Sequence, residues 1–187
     1  MNPLPPRFSG LPFEIRSDKP SRFSPSELDE FEKMVRKGGE VSATMLAAGL
    51  RRAEWLFEAA REGRVIGIAA LKRPFQNYRS KICRHSGTEV PVAAYPYEVG
   101  YIFVAENERG KGHSQRLIQA VIENSAQSGL FATVRTENGP MRHVLEKFGF
   151  RTAGIPYRSE RGDYELVLYL RSSPASLRAE SPLSSRP

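Results

Sequence analysis

The chain has 187 residues, 40% of them hydrophobic, and carries 28 lysines and arginines against 21 acidic residues for a formal net charge of +7. That length fits one domain with tails and allows a real core. No apolar run approaches the ~18 residues of a membrane span, and the amino-terminus lacks the apolar stretch of a secretory leader. Cys83 is the only cysteine, and His85, His113 and His143 show no zinc-ligand spacing with it. These features predict a cytoplasmic protein with no disulfide, metal or membrane partner. Residues 1–24 hold +2 of the charge and residues 172–187 hold +1, which leaves +4 for 25–171. An anionic ligand such as a nucleotide cofactor accounts for much of that, and nucleic-acid binding is a weaker reading of the same charge.

Residues 1–12 are rich in Pro and Gly and read as an irregular arm, followed by a short strand at Phe13–Arg16. Ser24-Pro-Ser-Glu27 predicts a helix start, with Ser24 as N-cap, Pro25 in the first turn and Glu27 closing a capping box. Leu28, Phe31 and Val35 would face inward, and Gly38-Gly39 would end the helix. A second helix begins at Ser42 and runs through Leu46, Leu50 and Ala53. Trp55–Ala59 and Val65–Leu71 flank Arg61-Glu-Gly-Arg64 as a hairpin. Residues 73–96 read as a long loop in which Ser86-Gly87 turns a small hairpin. Its Arg79, Lys81 and Arg84 favour an anionic acceptor group near it.

Glu98–Val104 alternates and is rich in β-branched and aromatic residues, which predicts a strand. Next comes Arg109-Gly-Lys-Gly-His-Ser114, and then a helix carrying Leu117, Ile118, Val121 and Ile122 on one face, with Gly129 as its C-terminal stop. Unpaired backbone N–H groups and the positive end of the helix dipole meet at this turn, which suits a phosphate. Gly110 and Gly112 would let the anion approach the backbone, and Arg109 and Lys111 add charge. The alternative is a flexible surface turn. Beyond it, Leu130–Arg135 reads as a buried strand. Asn138-Gly-Pro140 caps a helix with Met141, Val144, Leu145 and Phe148 at helical spacing, and Gly149 ends it. Phe150–Gly154 and Tyr164–Leu170 are the last strands. Residues 172–187 read as a disordered tail.

The strand–turn–helix unit, together with Asn138…Met141…Leu145-Glu-Lys-Phe-Gly-Phe150, resembles the GNAT superfamily of acetyltransferases related to Gcn5. The family's cofactor motif (Arg or Gln, two residues, Gly, one residue, Gly or Ala) is matched at Arg109 and Gly112 and departs at Ser114. The resemblance spans roughly residues 55–171. It implies one α/β domain over 13–171, with a mixed and mostly antiparallel sheet, splayed central parallel strands and flanking helices. It further implies that acetyl-CoA enters between Glu98–Val104 and Leu130–Arg135. Backbone groups at Phe103 and Val104 would hold the pantetheine arm, and the N–H groups of Arg109, Gly110, Lys111, Gly112, His113 and Ser114 would hold the pyrophosphate. Asn138 would contact pantetheine or its acetyl end.

The chemistry implied is direct attack of an amine on the thioester, with the Val104 N–H as oxyanion donor. Glu98 is the candidate base, placed by alternation on the face of Gly100, Ile102 and Val104; the alternative is a rim carboxylate paired with an arginine. Many relatives carry a tyrosine where this chain has Leu145, and leucine cannot protonate a leaving thiolate. Tyr157 or Tyr101 could supply that proton, water could, or the protein could bind CoA without turnover. The function implied is an N-acetyltransferase for a primary amine of a small molecule, peptide or protein. An enzyme acting on a nucleic-acid substrate and a non-catalytic acyl-CoA-binding module are the alternatives. A homodimer is compatible with the family. His113 is expected exposed at its helix start, His143 solvated, Trp55 in the hairpin core and Cys83 a bystander.

Overall fold

The computed structural model describes residues 8, 9, 11–39 and 43–179. In chain order the regular elements are β1 (Glu14–Asp18), α1 (Pro25–Lys37), α2 (Ala43–Arg52), β2 (Trp55–Arg61), β3 (Arg64–Lys72), α3 (Gln76–Ser86), β4 (Tyr97–Val104), α4 (His113–Glu123), β5 (Leu130–Arg135), α5 (Gly139–Lys147), β6 (Arg151–Arg158), β7 (Glu165–Arg171) and α6 (Pro174–Ala179). Hydrogen bonding orders the strands β1-β2-β3-β4-β5-β7-β6 in a seven-stranded mixed sheet. The pairs β1–β2, β2–β3, β5–β7 and β6–β7 are antiparallel, and β4–β5 is parallel at Tyr97↔Leu130 and Glu98↔Phe131. This is the mixed, mostly antiparallel α/β arrangement the sequence implies. No helix of the described residues is long and apolar enough to cross a membrane.

The described residues divide into two compact units. One holds the chain through Arg73 together with Val99–Asn124, and the other holds Pro74–Glu98 together with the chain from Ser125. In the first unit, α1 starts as its sequence dictates. The Ser24 hydroxyl accepts from the Glu27 N–H, and the Glu27 carboxylate accepts from the Ser24 N–H at 2.7 Å. Phe31 and Val35 are then buried with Leu46 and Leu50 of α2 and with Leu56 and Ile68 of β2 and β3. Each such side chain contributes about 1.5–3 kcal/mol by leaving water. Ser42 lies outside the described residues. The β2–β3 turn has left-handed residues at Glu62 and Gly63 (φ 50° and 74°), as a two-residue hairpin requires. Trp55 is half-buried at the start of β2, with the Lys19 ammonium 4.6 Å from its ring centre.

The second unit has its own core of Ile82, Val90, Phe131 and Leu168. Four expectations change here and in α4. The 73–96 segment is not a loop, because eleven of its residues form α3, and Gly87 (φ 65°) is the left-handed cap of that helix rather than a hairpin turn. Gly129 does not stop α4, which ends with Asn124 as its cap. A β-carbon at Gly129 would overlap the Ala94 carbonyl, so close backbone approach is what demands glycine there. Arg79 faces the interior instead of an acceptor. Only 4% exposed, it donates to the carbonyls of Val90 (3.0 Å), Tyr95 (2.8 Å) and Pro96 (3.2 Å), with its guanidinium 4.9 Å from the Phe131 ring centre. Burial lowers its pKa. At the carboxyl end, α6 occupies part of the stretch read from composition as disordered, and residues 180–187 lie outside the described residues.

Candidate active site

Two groups of candidate residues lie one in each unit. In the first, β4 runs into a turn that opens α4. Tyr101 holds a left-handed conformation (φ 53°) inside the strand, rare for a bulky residue and a mark of local constraint. It interrupts the pleat, so alternation carries Glu98 to the face of Gly100 but not through to Val104. Tyr101 and Phe103 pack on the α1–α2 core cluster, and Val104 approaches Gly67 of β3.

Gly110 (φ 78°) and Gly112 (φ 79°) are both left-handed, and a β-carbon at either would meet nothing within 4 Å. Gly112 is the N-cap of α4 and makes no side-chain capping bond. The first turn of α4 therefore presents backbone N–H groups that have no partner within the helix. Together with the helix dipole they make a site that fits a pyrophosphate.

The side chains around this turn are less free than the sequence suggests. Glu108, 7% exposed, gathers three cationic or ionisable neighbours: Lys111 Nζ at 3.1 Å, His113 Nε2 at 3.2 Å and Arg61 Nη1 at 3.4 Å. The Lys111 ammonium, above all, holds the Glu108 carboxyl below its usual range. Arg109 folds back to donate from Nε to the Val104 carbonyl at 3.2 Å.

His113 is not exposed. It is 7% accessible and stacks on Phe13 with ring centres 5.1 Å apart and planes 10° apart. Arg116 covers the same Phe13 ring at 4.4 Å. Lys111 and His113 are thus both engaged with neighbouring side chains, and the backbone N–H groups of the turn are the groups open to an anion.

In the second unit, Glu98 is 3% exposed near the start of β4. The Tyr78 hydroxyl, carried by α3, donates to Glu98 Oε1 at 3.0 Å and lies 3.3 Å from Thr133 Oγ1 on β5. Burial, and then the Glu98 charge, push the Tyr78 phenol well above its ordinary pKa. Tyr157 feels the same two influences in the same order and is also pushed up. Tyr157 follows a bulge of β6 between Ala153 and Tyr157, where Gly154 is left-handed (φ 67°). His85 of α3 lies beside Tyr157, ring centres 5.7 Å apart.

The structure thus brings Tyr157 into the electrostatic field of Glu98, and it adds Tyr78, which sequence reasoning had left in a loop. Glu98 accepts a hydrogen bond from the Tyr78 phenol. Asn138 caps α5, its side-chain oxygen accepting from the Met141 N–H at 3.2 Å. Leu145 is wholly buried, so the position that is tyrosine in many relatives here serves the core. His143 is exposed and Cys83 half-buried.

Comparison with known proteins agrees with the fold. The acetyltransferase (GNAT) family model matches residues 14–150. No curated protein matches the chain significantly. Among solved structures, an acyl-CoA N-acyltransferase from Pseudomonas aeruginosa aligns with a TM-score of 0.60 at 14% identity, covering 85% of this chain and 99% of that one. The ribosomal-protein-S18-alanine N-acetyltransferase from Escherichia coli aligns with a TM-score of 0.61 at 16% identity, covering 86% and 94%. The Salmonella typhimurium protein yncA, solved with its cofactor acetyl-CoA, aligns with a TM-score of 0.60 at 13% identity, covering 93% and 97%. At these identities the likeness is one of fold.

Proposed function

The chain belongs to the acetyltransferase (GNAT) family, and on that footing we propose that it moves an acetyl group from acetyl-CoA to the primary amine of a small molecule, peptide or protein. The observation that carries this reading is the opening of α4, where two left-handed glycines leave the backbone N–H groups of the first turn open to an anion. The segment from Arg109 to Ser114 binds the pyrophosphate of acetyl-CoA. Backbone groups of Phe103 and Val104 hold the pantetheine arm, and Asn138 contacts pantetheine or its acetyl end. Residues 13–171 form the catalytic domain.

The reaction needs two proton movements. Glu98 takes one proton from the acceptor ammonium, and the neutral amine then attacks the thioester carbon. As the tetrahedral intermediate collapses, the C–N bond stays and the C–S bond breaks with its electron pair on sulfur. The nitrogen's second proton passes through Tyr157 or water to the CoA thiolate. The Val104 N–H stabilises the intermediate's oxyanion. Tyr157 stays protonated because burial and the Glu98 charge oppose its ionisation, so it can donate where Leu145 cannot. Loss of the usual acid is tolerable because a thiolate leaves readily near neutral pH.

The test is a calorimetric titration of acetyl-CoA into nucleic-acid-free protein and into Gly112→Glu, followed by an amine screen that reads CoA release. Micromolar binding that Gly112→Glu abolishes, with acceptor-stimulated thiol release, is the expected result. Binding without release under any amine would favour a non-catalytic acyl-CoA-binding module. No binding at all would end the acetyltransferase reading.

A further inference from the structure

Helix α3 carries a side chain, Tyr78, that both packs on the core and hydrogen-bonds to β4. Tyr78 and Ile82 are four residues apart, so both point from one face of α3. Ile82 is 2% exposed in the core with Phe131 and Leu168, and Tyr78 packs against the same cluster. Thr133 lies two residues beyond Phe131 on β5 and therefore on the same side of that strand. The packing of Ile82 on Phe131 thus delivers the Tyr78 hydroxyl to the edge of the core, where it meets both Thr133 and Glu98.

We infer that Tyr78 is the positioning residue for the Glu98 carboxylate, so that α3 belongs to the catalytic machinery. This rests on the reading of Glu98 as the base. A phenol has one proton, and at Tyr78 it points to Glu98 Oε1, an acceptor-only carboxylate oxygen 3.0 Å away. The Tyr78 oxygen then accepts from the Thr133 hydroxyl 3.3 Å away. The chain Thr133→Tyr78→Glu98 is polarised toward the carboxylate, and each bond strengthens the next. Because burial and the adjacent charge keep the phenol protonated, the donor is present across the neutral range. Glu98 is 3% exposed, so little water is available to orient its carboxylate in place of the tyrosine. Tyr78 fixes the rotamer from which Glu98 receives a proton and itself exchanges none.

The experiment compares wild type, Tyr78→Phe, Thr133→Val and Glu98→Gln with the amine acceptor that gives the fastest CoA release. Expected for Tyr78→Phe is a kcat lower by roughly 10- to 100-fold, with the acceptor KM and the acetyl-CoA Kd within about two-fold of wild type. Thr133→Val should lose only a few-fold. Infrared difference spectra, which need no turnover, supply the second readout: the carboxylate stretching band that Glu98→Gln removes should be displaced in Tyr78→Phe. A displaced band with reduced kcat supports the inference. An unmoved band, or a kcat unchanged in Tyr78→Phe, overturns it. If Tyr78→Phe fails to fold, Thr133→Val must show both the smaller kcat loss and a smaller band shift, and showing neither overturns the inference. Acetyl transfer absent from the wild type overturns the functional reading itself, whatever the band does.

Discussion

Glu98 was legible as a candidate because alternation set it on one face of a strand and the family resemblance implies a glutamate base there. Its environment was not legible. Tyr78 is twenty residues upstream in a polar stretch, and no spacing rule links a helix residue to a strand residue across that distance. Only the packing of Ile82 on Phe131 makes the link. His113 teaches the same lesson in reverse. Its position in a polar turn suggested exposure, but Phe13, one hundred residues earlier, covers it. Removing the carboxylate tests the role of Glu98 directly. Glu98→Gln keeps the shape and still accepts from Tyr78, but it cannot take a proton. Its kcat/KM for the amine is expected to fall by roughly 100-fold or more, with acetyl-CoA affinity unchanged by calorimetry. Equal activity in the two proteins would remove Glu98 from the mechanism.

Elements with strong local signals were read correctly, and α3 shows what happens without them. The Ser24–Glu27 box announced α1, and the two glycines announced the start of α4. By contrast α3 has Phe75 as N-cap with no side-chain capping bond, and it has no acidic residue in its first turn. Between Gln76 and Ser86 only Tyr78, Ile82 and Cys83 are apolar or nearly so, too few for a periodic stripe. Its C-terminal Ser86-Gly87 mimics a hairpin turn. Tertiary contacts hold it instead, chiefly Ile82 in the core and Arg79, which satisfies three carbonyls of the 90–96 segment. Arg79→Ala leaves those three acceptors without their donor and removes the cation from the Phe131 face. We expect it to lower the unfolding free energy by about 2–4 kcal/mol in urea titrations. A loss below ~0.5 kcal/mol would mean that water replaces the guanidinium without cost and that α3 is held by Ile82 alone.

For the whole chain, the order of elements apart from α3 and α6 was readable, as were the β2–β3 hairpin and the parallel β4–β5 pair, but the rest of the pairing was not. Nothing local states that β7 lies between β5 and β6, or that each unit is built from separate stretches of the chain. Those facts come from which hydrophobic faces find each other, and the same long-range contacts set the response to pH. On the acid side, Glu27 and Glu54 have lowered pKa values. Ser24 and Arg16 favour the Glu27 carboxylate against its burial, and Lys19 and then Arg73 favour the Glu54 carboxylate. A carboxyl held below its unfolded value stabilises the fold above that value, and the stabilisation is lost as pH falls through the folded one. Stability should therefore be flat near neutrality and decline once pH drops below about 4.5, the ordinary glutamate value.

On the alkaline side the sign is reversed. Tyr78 and Tyr157 have phenols raised above 10.0 by burial and by Glu98. Their stabilisation is complete below 10 and is lost as pH rises, because the unfolded chain releases those protons first. Spectrophotometric titration of the seven tyrosines should accordingly show Tyr78 and Tyr157 as a late-ionising pair whose absorbance change coincides with unfolding, beside Tyr169, whose phenol burial also raises. In Tyr78→Phe one member of that pair disappears. The other, Tyr157, still ionises late, because burial is the larger cause of its shift. If every tyrosine titrates near 10 in the folded protein, neither phenol is held against the Glu98 charge. The hydrogen-bonded cluster around that carboxylate then does not exist in solution.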